Sequence, residues 1–448
     1  MAQSERPAIR LGAFLPGAGQ HIAAWRHPRS EIEGVLDVKY YERLAQTAER
    51  GLFDMFFLAD GLAVPTRISA SKTAFGIGFE PVTLFAALSQ VTSHLGFVAT
   101  ASTTYEDPFL LARKFASLDH LSRGRAAWNL VTTESADAAA NFSYSTPPAH
   151  PERYRRAEEF YDVVVGLWDT WADDALLRDR DAGDFYAAAR VRPLGHRGEH
   201  FRVDGPLNIP RPPQGHPVIV QAGSSESGKE LAARTAEVIF TAQSSFSDAQ
   251  RFYADVKGRL AKFGRSRDAL KIMPGVQPYV ARTEAEARAK YKELEELILP
   301  EVGLGLLSNL VGGFDLRGVD PDGPLPELPQ TNNNRSRQAL MYEIARSEGY
   351  SLRQLWKAVA GARGHWTIVG TPTQIADHLQ QWFEGGAADG FNVMPPVLPR
   401  DLNDFIELVV PELQTRGLFR TRYEGTTLRE NLGLDRPSVT FASPAAVA

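Results

Sequence analysis

Short apolar runs alternate with amphipathic stretches along most of this chain. The apolar runs end in polar or turn residues, which is typical of buried strands. The stretches between them carry apolar residues at helical spacing and often begin with a capping residue or proline. The runs are Ile9–Leu15, Phe53–Asp60, Leu95–Thr103, Arg125–Thr133, Val218–Gly223, Glu237–Gln243, Leu270–Ala281 and Asp389–Pro396. The stretches are Val38–Gly51, Glu80–Thr92, Asp107–Ser122, Pro151–Trp171, Ser225–Ala236, Ser247–Gly264 and Thr283–Ile298.

This alternation predicts parallel strands joined by helical crossovers. Eight strands with crossovers fit a closed (β/α)₈ barrel better than an open sheet. Two insertions break the pattern. Residues 196–217, after the fourth strand unit, are turn-rich and predict an excursion with a hairpin. Residues 300–366 form a long insertion, and long insertions at the strand ends of a barrel often act as lids.

We expect one domain over residues 1–434 and a flexible tail over 435–448, which is rich in small residues, Pro and Ala. The chain has 448 residues, of which 43% are hydrophobic and 23% charged, as in ordinary globular proteins. Basic and acidic residues are well mixed and the net charge is −5, so no nucleic-acid-binding surface is expected.

The composition also limits the chemistry and the location. There is no cysteine, which excludes disulfides, thiolate catalysis and cysteine-bound metals. The first ten residues lack the apolar core of a signal peptide, and no apolar run approaches the ~18 residues of a membrane span. We therefore expect a cytoplasmic protein that makes no membrane contact.

Polar groups follow the predicted strands at their carboxyl ends, where the functional face of such a barrel lies. His21, Trp25, Arg26 and His27 follow the first strand. The other groups are Asp60 after the second strand, Ser102 to Thr104 after the third, Asn129, Thr132 and Thr133 in the fourth, and Gly223 to Ser225 after the fifth. Asn129 thus belongs to a ring of polar strand ends.

Gly223, Ser224 and Ser225 join a strand to the start of a helix. Free amides and hydroxyls at that point favour a phosphate, helped by the helix dipole. Ser225 could equally be a simple helix cap, because serine caps are common. No Walker A or Rossmann glycine pattern accompanies these residues, which argues against a nucleoside triphosphate or a dinucleotide.

The histidines His21, His27 and His150 match no zinc spacing, so no metal is expected. His21 is a candidate for substrate contact or proton handling, since its ordinary pKa lies near neutrality. His27 is interpreted as structural. Asp60 is either a structural carboxylate or part of the site. Phe14 is the best candidate for a pocket wall.

Several stretches together resemble one known family. They are "AAWRHP", "FFLAD", "TASTTYEDPFLLARKFASLDHLSRGRAAWNLVTT", "ERY", "GEHFRVDGPLNIPRPPQGHPVIVQAGSSESG" and "RGLFRTRYEGTTLRENLGL", and they span nearly the whole chain in order. The chain is similar to the bacterial luciferase-like, flavin-dependent monooxygenases. Within them it resembles the branch of nitrilotriacetate, dibenzothiophene-sulfone and long-chain alkane monooxygenases.

The resemblance implies a (β/α)₈ barrel that binds reduced FMN at the carboxyl ends of its strands. It implies Asp60, Thr103 and Asn129 near the isoalloxazine ring, and Tyr154, Gly223, Ser224 and Ser225 at the FMN phosphate. His21 and His150 match histidines of the family and are the candidate catalytic residues.

The implied chemistry belongs mainly to the cofactor. Reduced FMN from a separate NAD(P)H:flavin reductase reacts with O₂ to give a peroxyflavin, which the protein shields from water and presents to a substrate. The insertion at 300–366 is the expected shield, mobile without flavin. The resemblance also implies a homodimer or homotetramer.

The substrate does not follow from the motifs. Phe14, Phe75, Ile77 and Phe79 favour a small apolar, aromatic or heterocyclic compound, whereas Arg67 and Lys72 would suit an anion. Loop cations are usually solvated, so the apolar interpretation is preferred. The alternatives are a relative that degrades flavin or uses a deazaflavin, and a non-catalytic flavin-binding barrel.

Overall fold

Nine parallel strands form the central sheet. The structure, a computed structural model, describes residues 8–64, 70–74, 76–330 and 335–439. The strands are β1 (Arg10–Phe14), β2 (Met55–Leu58), β3 (Gly96–Ser102), β4 (Ala126–Val131), β5 (Val218–Gln221), β6 (Val238–Thr241), β7 (Lys271–Val280), β8 (Trp366–Gly370) and β9 (Gly390–Val393).

Eight of these strands close into a barrel, in the order β1 to β7 and then β9. The ring closes because β9 pairs with β1, with Phe391 opposite Leu11, and with β7, with Asn392 opposite Gly275. The predicted (β/α)₈ barrel and its eight strands are confirmed. The ninth strand, β8, was not predicted; it pairs only with the outer half of β7, which is ten residues long.

Helices alternate with the strands. They are α1 (Val38–Arg50), α2 (Pro81–Leu88), α3 (Pro108–Ser122), α4 (Ala136–Asn141), α5 (His150–Trp168), α6 (Glu226–Thr235), α7 (Phe246–Arg259), α8 (Glu284–Glu296), α9 (Pro300–Leu310), α10 (Arg335–Glu348), α11 (Leu352–Ala362), α12 (Pro372–Glu384), α13 (Arg400–Asp404), α14 (Val410–Thr415) and α15 (Leu428–Leu432). No helix among the described residues has the length and apolarity needed to cross a membrane.

The expected helix starts are present. The Asp107 carboxylate accepts a hydrogen bond from the Leu110 N–H at 3.0 Å, and Pro108 opens α3. At α8 the Thr283 hydroxyl accepts from the Glu286 N–H at 3.3 Å, while the Glu286 carboxylate accepts from the Thr283 N–H at 3.1 Å. This is the reciprocal cap that the spacing Thr-x-x-Glu predicts.

Both insertions have structure of their own. His196–Arg197 pairs with Arg202–Val203, which confirms the hairpin, and a further hairpin joins Leu176–Asp179 to Asp184–Tyr186. Helices α9 to α11 fill much of the insertion at 300–366. Apolar side chains of that insertion form a separate cluster, including Leu307, Met341, Leu352, Leu355 and Trp356.

The segment around α15 seals the amino-terminal end of the barrel. Leu428, Leu432 and Leu434 pack with residues of the barrel interior, including Met55 and Val98. Arg429, buried there, is paired with Glu237 at 2.5 Å. Of the expected tail at 435–448, residues 440–448 lie outside the described part, and Arg436 is paired with Asp173 at 2.6 Å. With this end closed, the carboxyl ends of the strands are the open face.

Candidate active site

A cavity of about 440 Å³ lies at the carboxyl ends of β1 and β2. Three segments enclose it: the loop after β1, the loop after β2, and the insertion through α9 and the end of α11. Its lining includes Phe14, Gln20, His21, Trp25, Tyr41, Asp60, Ile77, Phe79, Leu306, Asn309, Leu310 and Arg363. Four candidates from the sequence, Phe14, His21, Asp60 and Phe79, thus share one cavity.

His21 is a buried wall of this cavity, with 3% of its surface exposed. Its Nδ1 accepts a hydrogen bond from the Ala23 N–H at 3.1 Å. Burial, and to a lesser degree the charge of Arg363, lower the pKa of His21 to about 3. The ring is therefore neutral at physiological pH, with its proton on Nε2.

Asp60 follows β2 at the mouth of the cavity. One carboxylate oxygen accepts a hydrogen bond from the Gly61 N–H at 2.9 Å. Solvent reaches the side chain, yet the protein packed around the mouth raises the pKa of Asp60 by desolvation, with smaller contributions from Glu80 and Glu106. The Gly61 hydrogen bond opposes this rise.

Aromatic rings form the apolar part of the wall. Phe14 lies 5.2 Å from Phe57 and 5.6 Å from Phe240 between ring centroids. Phe79 lies edge-on to Tyr41 at 6.0 Å. Phe75, the third predicted wall residue, lies outside the described residues.

Thr103 and Asn129 are buried at the carboxyl ends of β3 and β4 and do not line this cavity. The Thr103 hydroxyl donates to the Val131 carbonyl at 3.1 Å. The Asn129 amide donates to the Thr100 hydroxyl at 2.9 Å, and Thr100 donates to the carbonyl of Leu58, which lines the cavity. The buried Asn129 Oδ1 accepts no hydrogen bond in the described structure.

A second pocket, of about 230 Å³, opens where β5 meets α6. It contains all four residues expected at a phosphate: Tyr154, Gly223, Ser224 and Ser225. Ser225 caps α6 by accepting from the Gly228 N–H at 3.1 Å, and its hydroxyl lies 3.4 Å from that of Tyr154. Capping and ligand binding are thus compatible at this residue.

Glycine is required at the first turn of this pocket. A Cβ on Gly223 would stand 3.0 Å from the Gly228 Cα and 3.5 Å from the Tyr154 hydroxyl. Any larger residue would therefore push the strand end away from the helix start. The close approach brings the end of β5 against the first turn of α6.

Two further residues of α5 line the second pocket. His150 lies against Tyr154, with 4.7 Å between ring centroids, and burial together with Arg153 and Arg335 lowers the pKa of His150. Arg153 is buried, with 3% exposed, and its Nε donates to no described group. The two candidate catalytic histidines therefore lie in different pockets.

The sequence interpretation did not single out Arg153, Gln20 or Arg363. Arg153 directly precedes Tyr154 in the "ERY" motif, so the match at Tyr154 is the signal in the sequence that could have identified Arg153. Arg363 lies more than 300 positions from His21 along the chain, and only the folded insertion brings it to the same cavity.

One cluster in the described residues has the makings of a metal site. Ligand atoms of Glu152, Glu199 and His200 lie within 4.8 Å of one another. Glu152 is already paired with Arg155, and none of the three residues lines either pocket. The cluster therefore adds nothing to the site.

A family model described as luciferase-like monooxygenase matches residues 18–389. The chain belongs to this family. N-acetyl-S-(2-succino)cysteine monooxygenase of Bacillus subtilis (strain 168) is 51% identical to it, over 98% of this chain and 99% of the relative. Nitrilotriacetate monooxygenase component A of Aminobacter aminovorans is also 51% identical, over 97% and 98%.

These matches confirm the expected family and branch, and the chain is a flavin-dependent monooxygenase. A solved structure of riboflavin lyase with modified FMN and riboflavin shares the fold of this luciferase-like protein. It superposes with a TM-score of 0.87 at 33% identity, over 98% of both chains. Flavin use is thus implied by the family and by a neighbour of the same architecture.

Proposed function

We propose that this chain is the oxygenase component of a two-component monooxygenase. It binds reduced FMN, supplied by a separate NAD(P)H:flavin reductase, and uses O₂ to oxygenate a small organic substrate. The observation that carries the proposal is the pocket at the start of α6, which lies at the same carboxyl-end face of the barrel as the aromatic-walled cavity. Bound FMN would supply the electrons that activate O₂.

The second pocket has the chemistry of a phosphate site. The hydroxyls of Tyr154, Ser224 and Ser225 offer donors there, at the amino-terminal end of α6. The buried Arg153 adds a positive charge and an N–H without a partner in the described structure. A dianionic phosphate would satisfy this N–H, so the residues present fit FMN better than unphosphorylated riboflavin.

Asn129 connects this pocket to the cavity. It precedes Leu130, which lines the phosphate pocket, and through Thr100 it reaches Leu58 in the cavity wall. Its buried Oδ1 accepts no hydrogen bond in the described structure, and such an acceptor would suit a ring N–H. We assign Asn129 to the polar edge of the isoalloxazine on this basis, and Thr103 and Asp60 to the same edge on the family resemblance.

His21 and the insertion act on the substrate side. A neutral His21 offers its Nε2–H as a hydrogen-bond donor to a substrate oxygen, and it does not act as an acid near pH 7 because its imidazolium form is not populated there. Leu306 and Leu310 of α9 cover the cavity with apolar surface and exclude water. Phe14, Ile77 and Phe79 support the expected apolar or aromatic part of the substrate.

A separate reductase is supported by two observations. The name of one relative, component A, is that of one part of a multi-component enzyme. The sequence of this chain also carries no dinucleotide fingerprint for NAD(P)H. The same relatives act on N-acetyl-S-(2-succino)cysteine and nitrilotriacetate, which makes these two compounds first choices in a substrate screen.

Flavin breakdown is a second candidate function. It is favoured by the high similarity to riboflavin lyase over the whole chain. In that case the 440 Å³ cavity would hold a flavin as substrate as well as a flavin as cofactor. Consumption of riboflavin in the same assay separates the two functions.

The test is a reconstituted reaction under isotopically labelled O₂. Protein, FMN, NADH and a generic flavin reductase are mixed with a panel of aromatic, heterocyclic and carboxylate-bearing compounds. We expect one labelled oxygen in one product, and no product when the reductase is left out. Product formation from NADH without any reductase would contradict the two-component proposal.

A further inference from the structure

Arg363 occupies a backbone position that suits glycine better than arginine. It follows α11 with φ at +53°, and its N–H donates to the Val359 carbonyl at 2.7 Å. A left-handed conformation is unfavourable for an L-residue, and helices commonly end on glycine there. Gly364 is the very next residue. The backbone at position 363 is therefore less favourable for arginine than for glycine.

Arg363 borders the cavity. Arg363 lines it together with His21 and Gln20. Close approach of the helix end depends on Gly361, where a Cβ would meet the His21 ring at 3.0 Å. Burial and the neighbouring Arg337 lower the pKa of Arg363 to about 9, which leaves it charged at neutral pH.

Neighbours fix the backbone that carries this guanidinium. Arg337 donates to the Arg363 carbonyl at 2.5 Å and to the His365 Nε2 at 3.0 Å. His365 is stacked on Phe240 at 4.9 Å, with 9° between the rings. The positive end of the cavity is therefore built on packed side chains.

Two more hydrogen-bonding groups face the same end. His21 has its Nδ1 occupied by the Ala23 N–H, so Nε2–H is the free donor. Gln20 is 2% exposed, and its Oε1 has no partner in the described structure. A turn of the amide exchanges its oxygen and nitrogen ends, so Gln20 can also donate.

Negative charge is scarce around the cavity. Among the described residues that line it, Asp60 is the one carboxylate, and it stands at the mouth after β2. A guanidinium with two neutral donors beside it complements a planar anion. The aromatic wall of Phe14 and Phe79 would take the rest of the molecule.

We propose that Arg363, with His21 and Gln20, forms a carboxylate-binding subsite that selects carboxylate-bearing substrates. This inference rests on the proposed monooxygenase function and names its substrate class. It adds an anionic group to the apolar part that the sequence predicted. The prediction from the sequence considered only the cations of the loop after β2, whereas Arg363 comes from the insertion.

The subsite can be tested without flavin, by quenching of Trp25, which lines the cavity. Succinate, tricarballylate and phenylsuccinate are titrated against their neutral methyl esters. We expect at least one acid to bind the wild-type protein more than tenfold more tightly than its ester. Equal binding of acids and esters, or no binding of any acid, overturns the proposal.

Variants then locate the preference. Arg363→Asn removes the charge and keeps a residue that tolerates the left-handed backbone, so it should abolish the preference. Arg363→Lys should keep part of it. Arg317→Asn, at an exposed arginine of the same insertion, is the matched control and should behave as wild type. An undiminished preference for acids over esters in Arg363→Asn would contradict the assignment.

Reduced-FMN binding is measured on the same samples. If the wild type binds reduced FMN but does not prefer acids over esters, the carboxylate subsite is contradicted and the proposed function stands. If the wild type does not bind reduced FMN, the proposed function is contradicted. Far-ultraviolet circular dichroism checks that each variant is folded. The wild-type comparison of acid with ester stands even if Arg363→Asn does not fold.

Discussion

His21 shows how burial changes the role of a single residue. Its sequence context suggested proton handling near neutrality, but the cavity wall lowers the pKa of His21 to about 3. The unfolded chain, with an ordinary pKa of about 6.5, takes up a proton that the folded protein refuses. The unfolding free energy therefore does not depend on this proton above about pH 6.5, and it falls as the pH is lowered from 6.5 towards 3.

This linkage gives a pH-dependence prediction. Between about pH 6.5 and 4, His21 should contribute a loss of roughly 1.4 kcal/mol of unfolding free energy per pH unit. Urea unfolding of the wild type and of His21→Asn, followed by tryptophan fluorescence, measures the difference in slope. The two curves should be parallel above about pH 7. Identical slopes at acid pH would show that His21 is protonated in the folded protein.

Several residues that line the cavity were predictable from the sequence and others were not. Phe14 and Asp60 lie at the ends of predicted strands and His21 follows one, so the barrel rule placed them at one face. Arg153 is buried on α5 and Arg363 follows α11 at the cavity wall, whereas sequence alone favours solvated positions for arginine. Their burial depends on distant segments that meet only in the folded chain.

At the scale of elements, the eight barrel strands were predictable because apolar runs and helical stretches alternate locally. The strand β8 has the apolar sequence WTIVG. It was missed because the segment that it pairs with, the outer half of β7, is far from it along the chain. The helices of the insertion were also missed. The segment 312–330, which is rich in Gly, Pro and Asp, separates α9 from α10. The apolar residues that form one cluster in the fold are therefore far apart in the sequence.

The insertion contacts the loops that border the cavity. Lys72, after β2, is paired with Glu301 of α9, and the Trp25 ring N–H donates to the Lys72 carbonyl at 3.2 Å. These side chains are partly exposed, so the ion pair contributes little to stability. The loop after β1 makes a firmer contact, because Ile22 and Ala23 pack with the buried Val302 and Leu306 of α9. The lid expected from the sequence would have to release both contacts.

Limited trypsin digestion tests the lid. Arg317 is exposed in the insertion, and Arg180 is exposed at the tip of the first hairpin. With reduced FMN and substrate under anaerobic conditions, cleavage at Arg317 should slow severalfold while cleavage at Arg180 is unchanged. Equal rates at Arg317 with and without ligands would count against a closing lid.

At the scale of the whole molecule, the segment around α15 ties the end of the chain to the barrel. Arg429 is almost fully buried and donates to the Glu237 carboxylate and to the His216 carbonyl at 3.0 Å. Removing one partner of a buried pair leaves a buried charge without compensation, at a cost of about 3–5 kcal/mol. An exposed pair costs less than about 1 kcal/mol.

Arg429→Met and Arg436→Met form a matched comparison. Arg436 is half-exposed and paired with Asp173. We expect Arg429→Met to lower the apparent Tm by several degrees and Arg436→Met to leave it nearly unchanged. Differential scanning calorimetry at one fixed scan rate measures both. Equal Tm values would show that the segment around α15 does not hold the barrel closed.

The central claim is that the two pockets together bind reduced FMN through its phosphate. Anaerobic titration of the protein with reduced FMN and with reduced riboflavin tests it most directly. We predict micromolar binding of FMN, weaker binding of riboflavin, and a loss of at least tenfold in FMN affinity in the double variant Tyr154→Phe with Ser225→Ala. Failure to bind reduced FMN at micromolar concentration, or unchanged affinity in the double variant, would contradict the account.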